Sequence, residues 1–362
     1  MNQIIIFLAG FFLVVGTLSS ALSTVVLPRA ARSQLNRFVF GSLRRIFEIP
    51  LHLTHDYSQR DAIMAYYAPI GLMMLIPTWY VLIATGYAFM YMVLGFGSFI
   101  ESFQLSSSTL LTLGVVSSNS FITNLFMYSE SIIGLILVAL LIAYLPTMYS
   151  AFSRREQAVT MLEVRAGDPP SAETMLLRFN RIHGLDQLRD YWKNWEIWFS
   201  DIEESHSVLP ALVFFRSPRS NHSWVTASGA ILDAASITLS AIDIPQEASA
   251  SLCIRSGYLA LRQIVNYFDI PNPSDPHFPE TPISIKREEF NAMLDRLAAN
   301  NLPVKRDRDQ AWQDFGGWRV NYDRVLLALC ALTLAPFAPW SSDRAFKHKL
   351  PPLILLKKRH KY

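Results

Sequence analysis

Charged side chains are scarce in the first half of this sequence, and the scarcity is concentrated in one segment. Of the 362 residues, 17% are Asp, Glu, Lys or Arg and 51% are hydrophobic. Between residues 62 and 153 the only charged side chains are Glu101 and Glu130. A segment of this length with two carboxylates and no basic residue is typical of a membrane domain. The net charge of +3 is too small to favour a nucleic-acid-binding protein, so no nucleic-acid partner is predicted.

Cysteine and the short motifs of common enzyme classes are also scarce. The 2 cysteines, Cys253 and Cys330, are far apart and have no metal-ligand spacing, which favours reduced thiols in a cytoplasmic setting. The sequence has no phosphate-binding glycine loop, nucleophile elbow or zinc-ligand spacing. We therefore predict no enzymatic activity and no cofactor.

One pair of residues has the spacing of a carboxylate metal site. Glu203 and His206 form a Glu-x-x-His motif beside Asp201 and Glu204. Such sites need partner carboxylates from other helices, and a second motif is missing. A solvated face or an ion-pair network within the subunit is therefore favoured. The alternative for this region is that it belongs to a membrane-tethered metalloenzyme.

Three apolar runs are long enough to cross a hydrocarbon core of about 30 Å as helices. They are residues 4–27, 63–94 and 121–149, and Pro146 is expected to kink or end the third. The first run has a signal peptide as its alternative, with a cleavage region at 18–23, but it is not preceded by the Lys or Arg of a signal peptide. The apolar run at 325–339 is too short to span, and we predict a buried or interfacial helix there.

Basic residues predict the orientation of these spans. The segment 95–123 has no Lys or Arg, whereas basic residues follow the first and third spans at Arg29, Arg32, Arg37, Arg44, Arg45, Arg154 and Arg155. By the positive-inside rule, the N-terminus lies outside and the C-terminal domain lies in the cytoplasm. We predict a multi-pass protein of the cell membrane. In a bacterium this would be the inner membrane.

These patterns divide the chain into five parts. They are an N-terminal transmembrane helix at 1–28, a basic cytoplasmic or interfacial linker at 29–62, a membrane module at 63–150, a helical cytoplasmic domain at 151–342 and a basic tail at 343–362. In the linker, apolar residues recur at helical spacing between arginines, which predicts an interfacial helix. Since a strand pattern long enough to trust is missing, the predicted fold class is all-α.

Two features of the helical domain can be predicted from its periodicity. Ser171 follows a break at 167–170 and is expected to be the N-cap of the next helix. Aromatic residues of the segment 188–209 share a broad helical face that is typical of a core stripe; they are Tyr191, Trp192, Trp195, Trp198 and Phe199. The small-residue segment 224–245 is expected to form a helix that packs closely on its neighbours.

Between the second and third spans lies a segment of unusual composition. Residues 103–114, Phe-x-x-Ser-Ser-Ser-Thr-Leu-Leu-Thr-Leu-Gly, carry no charge and are too polar to span and too apolar for an ordinary exposed loop. A half-helix that enters the bilayer and turns back at Gly114 has this composition, and its carbonyl end would favour a cation. The alternative is a polar-faced helix packed among others, since small hydroxyl residues are common at transmembrane helix interfaces.

This segment resembles the pore helix and filter entry of potassium channels, and residues 66–149 are similar to the two-transmembrane pore module of bacterial and two-pore-domain channels. The resemblance implies an outer helix, a re-entrant pore loop and an inner helix. Aligned on Gly114, it implies a selectivity filter formed by Thr112, Leu113, Gly114, Val115, Val116 and Ser117. Val116 and Ser117 replace the family's second glycine and its acidic residue, and a β-branched side chain is poorly suited to a positive φ.

Two residues of the third span have alternative interpretations. Glu130 either hydrogen-bonds behind the filter or is an exposed carboxylate at the outer interface. Gly134 is either the gating hinge that the resemblance implies or a glycine of close helix packing.

The resemblance also implies a function, which is the passive permeation of cations across the membrane through a potassium-channel-like channel. One pore loop encloses nothing alone, and a second copy of the motif is missing, so a homotetramer is expected. Its predicted partners are monovalent cations, K⁺ or Na⁺, and the lipid bilayer, and Val116 leaves selectivity open. The alternative is a non-conducting membrane sensor or scaffold built on a degenerate pore module.

Overall fold

Every regular element that the structure describes is a helix. The structure is a computed structural model that describes residues 2–26, 33–54, 56–116, 118–245 and 248–345. These ranges contain thirteen α-helices and no β-strand, and an isolated antiparallel bridge pairs Ile242 with Val304. The all-α prediction is therefore confirmed for the described residues. Arg29, Arg32 and the part of the predicted basic tail beyond residue 345 lie outside them.

The chain forms two compact units. One comprises residues 1–49 and 66–150 and is called the membrane unit here; the other comprises residues 50–65 and 151–362 and is called the polar unit.

Five helices contribute to the membrane unit. They are α1 (Asn2–Val25), α2 (Gln34–Leu53), α4 (Tyr67–Val93), α5 (Phe99–Leu110) and α6 (Phe121–Ala166). Three stretches are long and apolar enough to cross a membrane: Gln3–Val25, Tyr57–Val93 and Phe121–Ala166. They overlap the three predicted spans, so the prediction of three apolar helices of spanning length is confirmed.

Two of these helices differ in extent from the prediction. The second apolar stretch begins with a separate helix, α3 (Tyr57–Ala65), before α4. The third continues beyond Tyr149 as one helix to Ala166, and Pro146 does not end it. A proline removes one backbone donor, but the helix continues past Pro146 and ends where Gly167 adopts a positive φ of 83°.

α1 packs along α4 through two facing glycines. A Cβ atom on Gly10 would lie 2.5 Å from the carbonyl oxygen of Gly86, so the two backbones approach more closely than any side chain would allow. Small residues are used in this way where helices associate without a hydrophobic driving force.

Seven further helices contribute to the polar unit, and a small-residue helix among them forms its core. They are α7 (Ala172–Arg181), α8 (Leu188–Val208), α9 (Trp224–Ala241), α10 (Ala248–Tyr267), α11 (Arg287–Ala299), α12 (Arg308–Arg319) and α13 (Asp323–Thr333). Every residue of α9 is buried, and the helix contacts α7, α10, α12 and α13. The predicted close packing of this segment is confirmed.

The local predictions for the polar unit also hold. The Ser171 side chain accepts a hydrogen bond from the backbone N–H of Thr174 and caps α7. Trp192, Trp195 and Trp198 are buried, as expected for a core stripe. The short apolar run near residue 330 is the buried helix α13, and it is not among the stretches long enough to span.

A buried ion network inside the polar unit was not predicted. Arg319 is fully buried, donates from Nε to Asp323 Oδ1 at 2.7 Å and bonds to Asp233 through Nη1. The Tyr322 hydroxyl donates to Asp233 at 2.8 Å. Arg319 of α12 thus links α9 and α13 through their carboxylates. These charged groups are tolerated in the interior because each one is paired.

Candidate functional site

The helix α5 begins at a well-formed cap. The Ser98 side chain accepts from the backbone N–H of Glu101, and the Glu101 carboxylate accepts from the backbone N–H of Ser98 at 2.7 Å. This capping box satisfies two donors that a helix start leaves open. Glu101, one of two charges in the apolar segment, is therefore used to begin α5.

α5 packs with a polar face against its neighbours in the membrane unit. It contacts α4, and its buried residues include Ser102, Ser106, Ser108 and Thr109. Burial of a hydroxyl without a hydrogen bond is costly. The Ser106 and Ser108 hydroxyls have partners within the described residues, whereas those of Ser102 and Thr109 do not.

Glu130 provides one such partner. Its side chain is fully buried, and its carboxylate accepts a 2.7 Å hydrogen bond from the Tyr91 hydroxyl and another from the Ser106 hydroxyl. The carboxylate therefore links α4, α5 and α6 at one point. Of the two interpretations of Glu130, the exposed carboxylate does not match the structure.

Gly134 of α6 lies against the backbone at the end of α5. A Cβ atom on Gly134 would lie 2.2 Å from the carbonyl oxygen of Leu110. One turn earlier, the Ser131 hydroxyl donates to the carbonyl of Thr109 at 3.2 Å, and the Tyr80 hydroxyl donates to the Gly134 carbonyl at 3.1 Å. Gly134 thus has the geometry of a close-packing glycine, and its role as a hinge stays a prediction.

After α5 the chain reverses direction and returns along the last turn of the helix. The backbone N–H of Leu113 donates to the Ser108 carbonyl at 2.8 Å. The backbone N–H groups of Val115 and Val116 both donate to the Ser108 hydroxyl, at 2.9 and 3.3 Å. Ser108 therefore anchors the segment 113–116 to α5. Ser108 had no individual role in the prediction, in which it is one of the hydroxyl residues of the segment 103–114.

These hydrogen bonds determine where the carbonyl groups of the segment point. The N–H and C=O groups of a trans peptide point in opposite directions. Because the N–H groups of Leu113, Val115 and Val116 point toward Ser108, the carbonyl groups of the preceding residues, Thr112, Gly114 and Val115, point away from α5. One short segment thus presents three carbonyl groups in directions away from its supporting helix.

The predicted filter residues have a distinct backbone pattern. Thr112 and Gly114 adopt positive φ values of 55° and 66°, and Val116 does not. The conflict expected at Val116 is therefore absent, because the left-handed positions are two and four residues earlier. Leu113 and Val115 are 63% and 78% exposed in the single chain. Ser117 lies outside the described residues.

The Glu203–His206 motif does not form a metal site. His206 is buried, its ring is 5.0 Å from that of Trp224, and its Nε2 lies 3.3 Å from Arg155 Nη1. Nδ1 lies 3.1 Å from the carbonyl oxygen of Ile202, so this nitrogen carries the proton and Nε2 accepts from Arg155. Burial and the Arg155 charge hold the pKa of His206 well below its usual value. The lone pair that a metal would need is already used.

Comparison with family models, with curated proteins and with solved structures finds no match to this chain. The functional hypothesis is therefore based on the residues themselves and on their geometry.

Proposed function

We propose that the protein is the subunit of a tetrameric, potassium-channel-like channel that conducts monovalent cations across a membrane. The observation that carries the proposal is the direction of the carbonyl groups of Thr112, Gly114 and Val115, which point away from α5 while their peptide N–H groups bind to it. Rings of backbone carbonyl groups are what a cation filter uses to replace water of hydration.

In the proposed channel, α5 is the pore helix and residues 112–116 are the filter. The C-terminal end of a helix carries partial negative charge, so α5 favours a cation near Leu110. The segment 112–116 then enters the membrane and returns as a re-entrant loop, since irregular backbone is tolerated at that depth where it lines a cavity. A single chain contributes one quarter of the lining, which is why four copies are required.

The contacts beneath the filter hold it in shape before an ion arrives. Ser108 holds the returning segment through the Val115 amide. Glu130 links α5 to α4, because its carboxylate accepts from Ser106 of α5 and from Tyr91 of α4. A filter that is already arranged gains more from each carbonyl contact, because little ordering remains to be done when the ion binds. In this proposal Glu130 supports the filter from behind and does not contact the ion.

The proposed topology follows the charges. The N-terminus and the loop 95–123 lie outside, and the polar unit lies in the cytoplasm. The polar unit then serves in gating or assembly.

The test is cation flux from the purified full-length protein in liposomes, with stoichiometry measured by native mass spectrometry. We expect four chains per particle and flux of K⁺ or Na⁺ above that of empty liposomes. Ser108→Ala removes the acceptor of two filter amides and should change or abolish the flux, whereas Ser107→Ala, at a neighbouring hydroxyl that accepts neither amide, should retain it. If well-folded protein conducts neither K⁺ nor Na⁺, the result would favour the non-conducting sensor or scaffold.

A further inference from the structure

Three metal-ligating side chains meet in the polar unit at the end of α6. Glu163 is in the last turn of α6, Asp168 is in the turn that follows, and His222 is in the loop before α9. One ligand atom of each lies within 4.8 Å of the other two. The residues are up to 59 positions apart in the sequence, from 163 to 222, and the fold brings them together.

One ring nitrogen of the histidine in this cluster lacks a hydrogen bond. The His222 side chain is 7% exposed, and its Nε2 atom is buried without a hydrogen-bond partner. That atom lies 3.4 Å from Glu163 Oε2, so it faces the carboxylate. Leaving a buried polar atom unpaired is unfavourable, and among the described residues no protein group within reach of this atom has hydrogen-bond geometry.

The ligand types match a small, borderline-soft divalent cation. One imidazole nitrogen and two carboxylates, with water in the fourth position, form a common coordination set for Zn²⁺, with ligand distances of about 2.0–2.2 Å. Tetrahedral ligands at that distance lie about 3.4 Å apart, which His222 Nε2 and Glu163 Oε2 already do, so the Asp168 carboxylate must approach them by up to about 1.4 Å. Asp168 is exposed and Glu163 is partly exposed, so both carboxylates have room to move toward His222.

Two neighbouring residues modify the cluster in opposite ways. The Asn221 side-chain amide donates to the Asp168 carboxylate and orients it, as hydrogen bonds to metal ligands commonly do. Arg219 Nη1 lies 2.7 Å from Glu163 Oε2 and competes with a cation for that oxygen. The Arg219 side chain is 61% exposed, so it can be displaced into solvent.

We propose that Glu163, Asp168 and His222 bind a divalent transition-metal ion of the zinc class. Binding joins the C-terminal end of α6 to the loop that precedes α9. This inference does not depend on ion conduction, since it concerns the polar unit alone.

The experiment uses the full-length protein purified in detergent with a tag that lacks histidine. Co²⁺ is the probe, because its visible absorption reports nitrogen and oxygen ligation, and Zn²⁺ is added as the competitor. We expect one Co²⁺ per chain, displaced by Zn²⁺. His222→Ala should abolish binding, and Asp168→Asn should weaken it by at least about tenfold. Arg219→Ala should strengthen it, because the competing cation is gone.

The matched control is His277→Ala. His277 Nε2 lies 3.9 Å from Asp275 Oδ2, which makes an exposed histidine–carboxylate pair without the cluster. This variant should bind Co²⁺ like the unmodified protein. The proposal is wrong if the unmodified protein shows no Co²⁺ absorption. It is also wrong if Asp168→Asn binds Co²⁺ as tightly as the unmodified protein. It is also wrong if Arg219→Ala weakens binding, because Arg219 would then support the site. Asp168 and Arg219 have exposed side chains, so these two variants remain informative even if His222→Ala fails to fold.

Discussion

Replacing Gly134 with alanine perturbs the contact between α6 and the end of α5. The added Cβ would lie 2.2 Å from the carbonyl oxygen of Leu110, whereas carbon–oxygen contacts in proteins settle at about 3.3–3.6 Å. The end of α5 must therefore move by about 1 Å. Overpacking of this kind costs about 1–3 kcal/mol. Because Leu110 lies two residues before Thr112, the displacement is transmitted to the proposed filter.

The assay is thermal unfolding of the full-length protein in detergent, followed by cation flux in liposomes. Gly16→Ala is the matched control, since a Cβ at Gly16 has nothing within 4 Å and the residue is also in an apolar helix. The control should be neutral or stabilised by up to about 1 kcal/mol, because alanine is the better helix former. Gly134→Ala should unfold at a lower temperature and show an altered K⁺/Na⁺ flux ratio. Equal stability of the two variants, with unchanged flux, would refute the packing argument.

Three further predictions concern buried polar groups. Glu130→Ala leaves the Tyr91 and Ser106 hydroxyls without their acceptor and should lower thermal stability by about 1–3 kcal/mol for each group, with a smaller loss in Glu130→Gln. Asp233→Ala removes one carboxylate from the fully buried Arg319 and should destabilise the polar unit by about 3–5 kcal/mol, measured by denaturant unfolding. Burial, with the Arg155 charge, lowers the pKa of His206, so below about pH 6.5 the unfolded chain binds a proton that the folded unit excludes. The free energy of unfolding should fall as pH drops through that value, and His206→Gln should flatten the dependence.

Each of these has a result that would contradict it. Unchanged melting of Glu130→Ala would mean that the two hydroxyls find other acceptors. Asp233→Ala with the stability of the unmodified protein would mean that Asp323 alone compensates Arg319. If the unmodified protein and His206→Gln lose stability equally between pH 7.5 and pH 5.5, another group is responsible.

Much of the membrane unit is predictable from the sequence because lipid imposes a simple rule. An apolar run of about 20 residues has one favoured structure in a bilayer, so the three long helices follow from length and charge. The start of α5 was also accessible, since Ser98 and Glu101 have the spacing of a capping box. The continuation of α6 to Ala166 was not, because a proline is a weak guide to where a long helix ends.

The contacts that complete the site depend on tertiary structure. Tyr91 and Ser106 reach Glu130 from 39 and 24 residues away, and local sequence contains no signal for either pair. The role of Ser108 depends on a chain reversal whose left-handed residues are Thr112 and Gly114, and threonine is not a residue from which positive φ is expected. The proposed metal-ligand cluster could not be predicted from local motifs for the same reason, since its residues come from a helix end and a distant loop.

The most direct test of the proposed channel is the reversal potential of the purified protein in a planar bilayer, with K⁺ on one side and Na⁺ on the other. We expect a measurable cation current whose reversal potential shifts in Thr112→Ala, because that residue contributes a carbonyl and a hydroxyl to the proposed filter. Absence of current from well-folded protein, or a reversal potential identical in the unmodified protein and Thr112→Ala, would contradict the proposal.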